Sequence, residues 1–324
     1  MTPLISVVVP TYKRPQMLKE CLLALCAQDL PPGVFEIVVA DDGPSADTRA
    51  MVETFAQNHA CVPLIRYLQV SGRHGPAAAR NCGWRNAAAN FIAFTDDDCR
   101  PTPEWLRNGL LALEQDADAA WGKLVMPLPA TPTDYEKDAS NLSRAEFVTA
   151  NCFCRKSALE QAGGFDERFR LAWREDSDLF FNLLNLDARI VHAPAAVVVH
   201  PVRPAPWGVS LSQQRKILFD ALLYKKHPAY YRARIRSSPP WNYYVITLSL
   251  ILAVALTVAG NFQGAWLAIA VWLGFTLDFI LRRLRGTSLD MRHVAEMAVT
   301  SALIPPIALY WHWLGAVRFR VLYV

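Results

Sequence analysis

Residues 91–100, FIAFTDDDCR, place an uncharged run directly before three carboxylates. Phe91–Thr95 reads as a strand buried on both faces, with Asp96, Asp97 and Asp98 leaving its carboxyl end. Three adjacent carboxylates repel one another. A hard divalent cation, which takes carboxylate oxygens and bridges substrate phosphates, resolves that repulsion. In an extended chain Asp96 and Asp98 fall on the same side and reach one ion together, while Asp97 points the other way. Taken alone, the triplet suits an acidic turn or capping cluster before Thr102-Pro103 equally well.

The flanking sequence shows what this strand belongs to. Ile5–Val9 is a continuous apolar run, followed by a helical pattern over residues 15–27 with Met17, Leu18, Cys21, Leu22 and Leu25 on one side. Phe35–Ala40 is a second buried strand, stopped at Asp41-Asp42-Gly43. A helix over about 46–58, a strand at Leu64–Val70 and an alanine-rich helix from Pro76 to about Ala89 come next. Alternating strands and helices predict an α/β fold with a mostly parallel, doubly wound sheet, whose ligand sits beyond the carboxyl ends of the strands. The first strand ends in Pro10-Thr11-Tyr12-Lys13-Arg14. That is neither the GxGxxG turn of a dinucleotide site nor a P-loop, so hydride transfer with a Rossmann cofactor and P-loop phosphoryl transfer are both unsupported.

The chain has 324 residues, 52% hydrophobic and only 19% charged. This composition excludes intrinsic disorder, a collagen-like fibre and a small disulfide scaffold. Its net charge of +4 hides an acidic front and a basic, apolar back. All seven cysteines lie within the first 154 residues, odd in number and without a CxxC pair, which suits a reducing compartment. Leu4–Val9 lacks a basic leader and stops at Pro10, so it does not read as a signal peptide.

In the back half, Trp241–Ala259 carries no charge, and Phe262–Leu281 is broken only by Asp278. Two such runs joined by a short uncharged connector predict a membrane hairpin. Basic residues from Arg215 to Arg236 precede it and Arg282, Arg283, Arg285 and Arg292 follow it, which puts both outer flanks, and the front half, in the cytoplasm. A third apolar stretch, Val294–Val317, holds Pro305-Pro306 and predicts a helix–break–helix hairpin that re-enters or lies along the inner leaflet, in preference to a kinked third span. Ser212–Arg236 reads as a basic interfacial element, with Ile217, Leu218, Ala221 and Leu222 on one face, suited to anionic lipid rather than nucleic acid. The expected organisation is a catalytic domain over residues 1–208, a basic linker over 209–240 and a membrane region over 241–324.

Six motifs occur in order: VVVPTYKRP, VVADDG, GPAAARN, FTDDDC, GGFDERF and WREDSDL. In this arrangement residues 4–200 resemble the family 2 inverting glycosyltransferases of the GT-A fold. The resemblance implies a nucleoside-diphosphate sugar donor, UDP-linked or similar. Pro10, Thr11, Arg14, Asp41, Asp42, Arg80 and Asp97 would then line the donor nucleotide, with Asp41 accepting from a uracil-type imide. Asp96, Asp98 and His200 would hold Mg²⁺ or Mn²⁺, with His192 the competitor for the histidine. Asp176 is implied as general base, Glu175 as its orienting neighbour or an acceptor contact, and Trp173 as a wall of the acceptor site.

One departure is informative. Processive synthases of this superfamily carry QxxRW, and this chain has only Gln213-Gln214-Arg215-Lys216-Ile217. With too few spans for a polymer channel, a single transfer onto a lipid-linked acceptor at the inner membrane is expected. The alternatives are transfer to polyprenyl phosphate itself and a membrane-tethered, non-catalytic nucleotide-sugar-binding protein.

Overall fold

The structure is a computed structural model that describes residues 2–58 and 63–323. Its strands are β1 (Ile5–Thr11), β2 (Phe35–Asp41), β3 (Leu64–Gln69), β4 (Phe91–Phe94), β5 (Arg100–Pro101), β6 (Ala119–Val125), β7 (Cys152–Arg155) and β8 (Ile190–Val199). They form one sheet in the order β3-β2-β1-β4-β7-β6-β8-β5. The pairs β3–β2, β2–β1, β1–β4 and β6–β8 are parallel, while β7 lies antiparallel between β4 and β6, and β5 antiparallel on β8. The expected mostly parallel α/β sheet is therefore present, with two antiparallel insertions that hydrophobic runs alone do not reveal.

Every residue of β1 and β2 is buried, as a strand covered on both faces requires. The helix Pro76–Asn86 opens on a proline already at a helical φ, and buries Ala77, Ala78 and Ala79. Small side chains let it approach the sheet closely. A Cβ at Gly83 would come within 2.3 Å of the Val8 side chain.

The chain divides into two units. The first holds the sheet and runs to Pro127, then from Asn141 to Val202; the second takes Leu128–Ser140 and the chain from Arg203 onward. The expected continuous domain over 1–208 is corrected accordingly. Segment 128–140 belongs with the helices because its polar groups are satisfied there. Arg283 grips Asp134 through Nη2 at 2.7 Å and Nε at 3.1 Å. The Asp134 N–H donates to His293 Nε2 at 3.0 Å, and the Ser288 N–H to the Pro132 carbonyl at 2.8 Å.

Three helices of the second unit are long and apolar enough to cross a membrane: Trp241–Val258, Phe262–Leu284 and Met291–Phe319. The first two match the expected hairpin. The third corrects an expectation, since no break occurs and one helix runs through Pro305 and Pro306. Each proline removes one backbone donor, but Ile304, Pro305, Ala308 and Leu309 are all buried. Packing along that face holds the helix where local hydrogen bonding is lost. The interfacial element forms helical pieces from Val209 to Lys226 and a further helix at Pro228–Arg234.

Candidate active site

The carboxyl ends of β1, β2 and β4 converge on one rim. After β4, Thr95 donates its N–H to Val8 of β1, and the three aspartates separate by direction. Asp97 turns inward, where Thr11 Oγ1 donates to its Oδ2 at 2.7 Å and Arg14 lies 3.3 Å from its Oδ1. Burial pushes its carboxyl up to about 6, against the pull of Arg14 and Thr11. Asp97, expected at the nucleotide, is buried and braced by Thr11 and Arg14. Thr11 and Arg14, expected to flank the nucleotide, anchor the acidic loop, and Arg14 also reaches Asp98 at 3.7 Å. Pro10 is buried within β1, one residue before its end.

At the end of β2 the two aspartates also divide. Asp41 is fully buried, accepting from the Gly43 N–H at 3.0 Å and the Tyr67 hydroxyl at 2.8 Å. Asp41, expected to meet the base, has one of its oxygens on the turn and the other on Tyr67. Asp42 is the partly exposed member, with His74 Nδ1 at 3.0 Å from Oδ1 and the Gly75 N–H donating to Oδ2 at 2.9 Å. His74 and Tyr67 were not singled out from sequence. An isolated histidine beside glycine and a tyrosine within a strand carry no signal without the fold.

The expected metal trio comes apart in an instructive way. His200 follows β8 and is tied by its N–H to Val125 of β6 at 2.8 Å. Its Nε2 lies 3.6 Å from Asp98 Oδ1. Its Nδ1 lies 3.2 Å from the Pro201 carbonyl, which leaves Nε2 as the ring nitrogen facing Asp98. A carboxylate oxygen and an imidazole nitrogen facing each other across this gap are ligand types that suit a divalent cation. Among the described residues, Asp98, His200 and the buried Cys99 are the group whose ligand atoms lie within 4.8 Å of one another. Asp96 stands outside it.

Asp96 is instead held by Arg80, whose Nη2 donates to Oδ1 at 2.7 Å. Burial pushes the Asp96 carboxyl up, but the guanidinium outweighs it and holds it below the usual carboxylate range. The same arginine donates through Nη1 to Glu175 Oε1 at 3.0 Å. Arg80, expected on the base or diphosphate, is thus 3% exposed and bridges the FTDDDC and WREDSDL motifs. Burial pushes Glu175 up to about 7, Arg80 opposing and Asp176 adding to the rise.

Arg174 caps the helix Glu175–Asn185 in the left-handed region at φ 76°, a conformation costly for a side chain and frequent at functional sites. Asp176 then sits in the first turn, partly exposed, accepting from the Ser177 N–H at 2.6 Å. Trp173, half-buried, stacks under the Arg174 guanidinium at 4.4 Å. His192 is exposed and lies against the Trp121 ring at 5.2 Å.

Asn81, missed from sequence, binds the helix Pro76–Asn86 to the GGFDERF loop. It accepts from Trp84 Nε1 and the Phe165 N–H, and donates to the Phe165 carbonyl and Glu167. Gly164 must be glycine here, at φ +70° with Asn81 Oδ1 2.7 Å from where a Cβ would stand.

Comparison with known proteins agrees with this geometry. The model of glycosyl transferase family 2 matches residues 6–165, and that of glycosyl transferase family group 2 matches residues 91–281. The chain belongs to the family 2 glycosyltransferases, and it is a transferase that uses nucleotide-sugar donors. It is 26% identical over 227 residues to glycosyltransferase AglE of Haloferax volcanii, covering 66% of this chain and 72% of that one. It is 27% identical to the GalNAc(5)-diNAcBac-PP-undecaprenol beta-1,3-glucosyltransferase of Campylobacter jejuni, covering 59% of this chain and 62% of that one. It is also 27% identical to validoxylamine A glucosyltransferase of Streptomyces hygroscopicus, of which it spans about half, 52%. Among solved structures, the mannosyltransferase PcManGT of Pyrobaculum calidifontis, in complex with GDP-Man and Mn²⁺, superposes with a TM-score of 0.54 at 18% identity, covering 99% of this chain and 88% of that one. That likeness supports the GT-A fold.

Proposed function

We propose that this protein is a divalent-metal-dependent, inverting glycosyltransferase that moves one sugar from a nucleoside diphosphate to a lipid-linked acceptor at the cytoplasmic face of the inner membrane. The observation that carries the reading is the pairing of Asp98 with His200 Nε2 at one rim, with Arg80 joining that rim to the helix of Asp176.

In this reading Asp98 and His200 hold the cation, and a mixed carboxylate and imidazole set favours Mn²⁺ over Mg²⁺. When bound, the ion stabilises the charge of the departing nucleoside diphosphate. The protein's own residues do the rest. Asp42 is the partly exposed acceptor at the end of β2 and meets the base; Asp96 presents its remaining oxygen to the donor. Asp176 takes the proton of the acceptor hydroxyl as it attacks the anomeric carbon from the face opposite the leaving group, a role worth about 10²–10⁴-fold in rate. Trp173 offers an aromatic wall for the acceptor.

The lipid-linked acceptor is supported by the three apolar helices and by the undecaprenol-linked substrate in the name of the Campylobacter relative. The Lys and Arg flanks of the hairpin support a cytoplasmic catalytic unit. The test is a screen of nucleotide sugars against the purified membrane protein, read as release of nucleoside diphosphate with and without Mn²⁺. Metal-dependent release with at least one donor, lost in Asp98→Ala, is the expected result. Undiminished release by Asp98→Ala would overturn the assignment.

A further inference from the structure

The helix Met291–Phe319 is long enough to cross a bilayer, about 43 Å at 1.5 Å per residue, yet its contacts describe a different placement. Arg283, at the outer end of the helix Phe262–Leu284, donates through Nη1 to Thr300 Oγ1 at 2.7 Å and Ser301 Oγ at 3.0 Å. Tyr244, in the first turn of Trp241–Val258, has its hydroxyl beside the Trp313 side chain. The two antiparallel helices of the hairpin have these ends on one side. Thr300 and Trp313, about 20 Å apart along their own helix, therefore lie at the same depth.

A second set of contacts agrees. The Gly208 N–H donates to Glu296 Oε1 at 2.7 Å near one end of the helix, and Lys225 Nζ to the Phe319 carbonyl at 2.8 Å at the other. Between them, a Cβ at Gly315 would stand 2.7 Å from the Leu218 carbonyl. The segment 208–225 thus runs alongside the helix for most of its length. That segment carries Arg215, Lys216 and Asp220 in its middle. Were the long helix to cross the bilayer, these charges would travel with it toward the hydrocarbon centre, where they are costly.

The side chains sort in the same sense. Met297, Ser301, Ile304, Ala308, His312 and Gly315 form a buried stripe, while Val299, Leu303, Tyr310, Trp313 and Val317 form an exposed apolar one. A helix with one packed face, one apolar face and indole and phenol rings along it matches the headgroup–acyl boundary.

We infer that Met291–Phe319 lies in the plane of the membrane across the open end of the hairpin, with the Val299–Val317 stripe resting on the acyl chains of the leaflet at that end. The chain then crosses twice, and both ends of the third helix remain on one side. This placement rests on the reading of Trp241–Val258 and Phe262–Leu284 as a membrane hairpin.

The test uses single substitutions in the full-length protein: Asn261→Cys at the hairpin tip, Leu289→Cys before the third helix and Leu322→Cys after it. Sealed vesicles are treated with a membrane-impermeant maleimide, with peptide-resolved mass spectrometry separating the new thiols from native ones. Leu289→Cys and Leu322→Cys are expected to label from the same side, and Asn261→Cys from the other. Labelling of Leu289→Cys and Leu322→Cys from opposite sides would overturn the inference. If those two label together from the outer face, the in-plane helix stands and the cytoplasmic orientation falls. Labelling of all three from one side would remove the hairpin and the inference with it. Spin labels at Leu303 and Val317 give a second readout, with equal oxygen accessibility expected. A depth difference near 20 Å, the rise over fourteen residues, would contradict it.

Discussion

His200 Nε2 stands 3.6 Å from Asp98 Oδ1, joining the end of β8 to the acidic loop after β4 across 102 residues of sequence. A carboxylate and an imidazole nitrogen at this separation, grouped with Cys99 within 4.8 Å, are a donor set suited to a cation. That grouping sets Asp98 apart from Asp96, which Arg80 holds, while Arg14 spans Asp97 and Asp98.

Asp176→Asn keeps the shape of the first turn of Glu175–Asn185 and removes the proton acceptor. Turnover is expected to fall by about 10²–10⁴-fold, with donor affinity changed less than threefold. Near-normal turnover would point to polyprenyl phosphate as acceptor, since a phosphate nucleophile is already ionised. Steady-state rates against donor concentration decide it.

Arg80→Met leaves Asp96 and the buried Glu175 without their shared cation. Removing one partner of a buried ion pair costs about 3–5 kcal/mol, so a lower melting temperature is expected. Arg80→Met/Glu175→Leu, which removes the second buried charge as well, is expected to recover part of that loss. Thermal unfolding of the two variants in detergent checks this.

The Glu175 carboxyl is held near 7 in the folded chain against 4.5 for an ordinary glutamate. The folded state thus binds this proton more tightly than the unfolded state does. The stability it contributes is fully present below about 4.5 and is lost as pH rises toward 7. Unfolding midpoints of wild type and Glu175→Gln measured from pH 5 to 8 should diverge, the wild type falling more steeply. Parallel curves would contradict the assignment.

Gly163 and Gly164 share a left-handed backbone, at φ +77° and +70°, but differ in the space around them. Gly164→Ala meets Asn81 Oδ1 and the Trp84 ring and is expected to cost about 2–4 kcal/mol. Gly163→Ala has open space and should cost only the backbone term, about 1–2 kcal/mol. Chemical denaturation of both variants measures the difference.

Much of this architecture is legible in the sequence, because continuous apolar runs and abrupt acidic stops mark buried parallel strands and the rim they end on. The side to which each acid turns is not. Asp41 and Asp97 look no different from Asp42 and Asp98 until their burial and their contacts with Tyr67, Thr11 and Arg14, distant along the chain, are seen. Arg80 reads from sequence only as a ligand of an anionic donor, because the two acids it bridges, Asp96 and Glu175, lie 16 and 95 residues away. Likewise Pro305-Pro306 signals a broken helix locally, and only the packing of Met291–Phe319 keeps it whole. Segment 128–140 gives no hint of leaving the sheet unit, since its partner Arg283 comes 149 residues later than Asp134.

The most direct test of the central claim is calorimetric titration of Mn²⁺ into the full-length protein in the presence of UDP or GDP. The account predicts one ion per chain, with affinity reduced at least tenfold in both His200→Ala and Asp98→Asn and changed less than threefold in Asp97→Asn. Binding that survives loss of His200 and Asp98, or that depends on Asp97 instead, would contradict it.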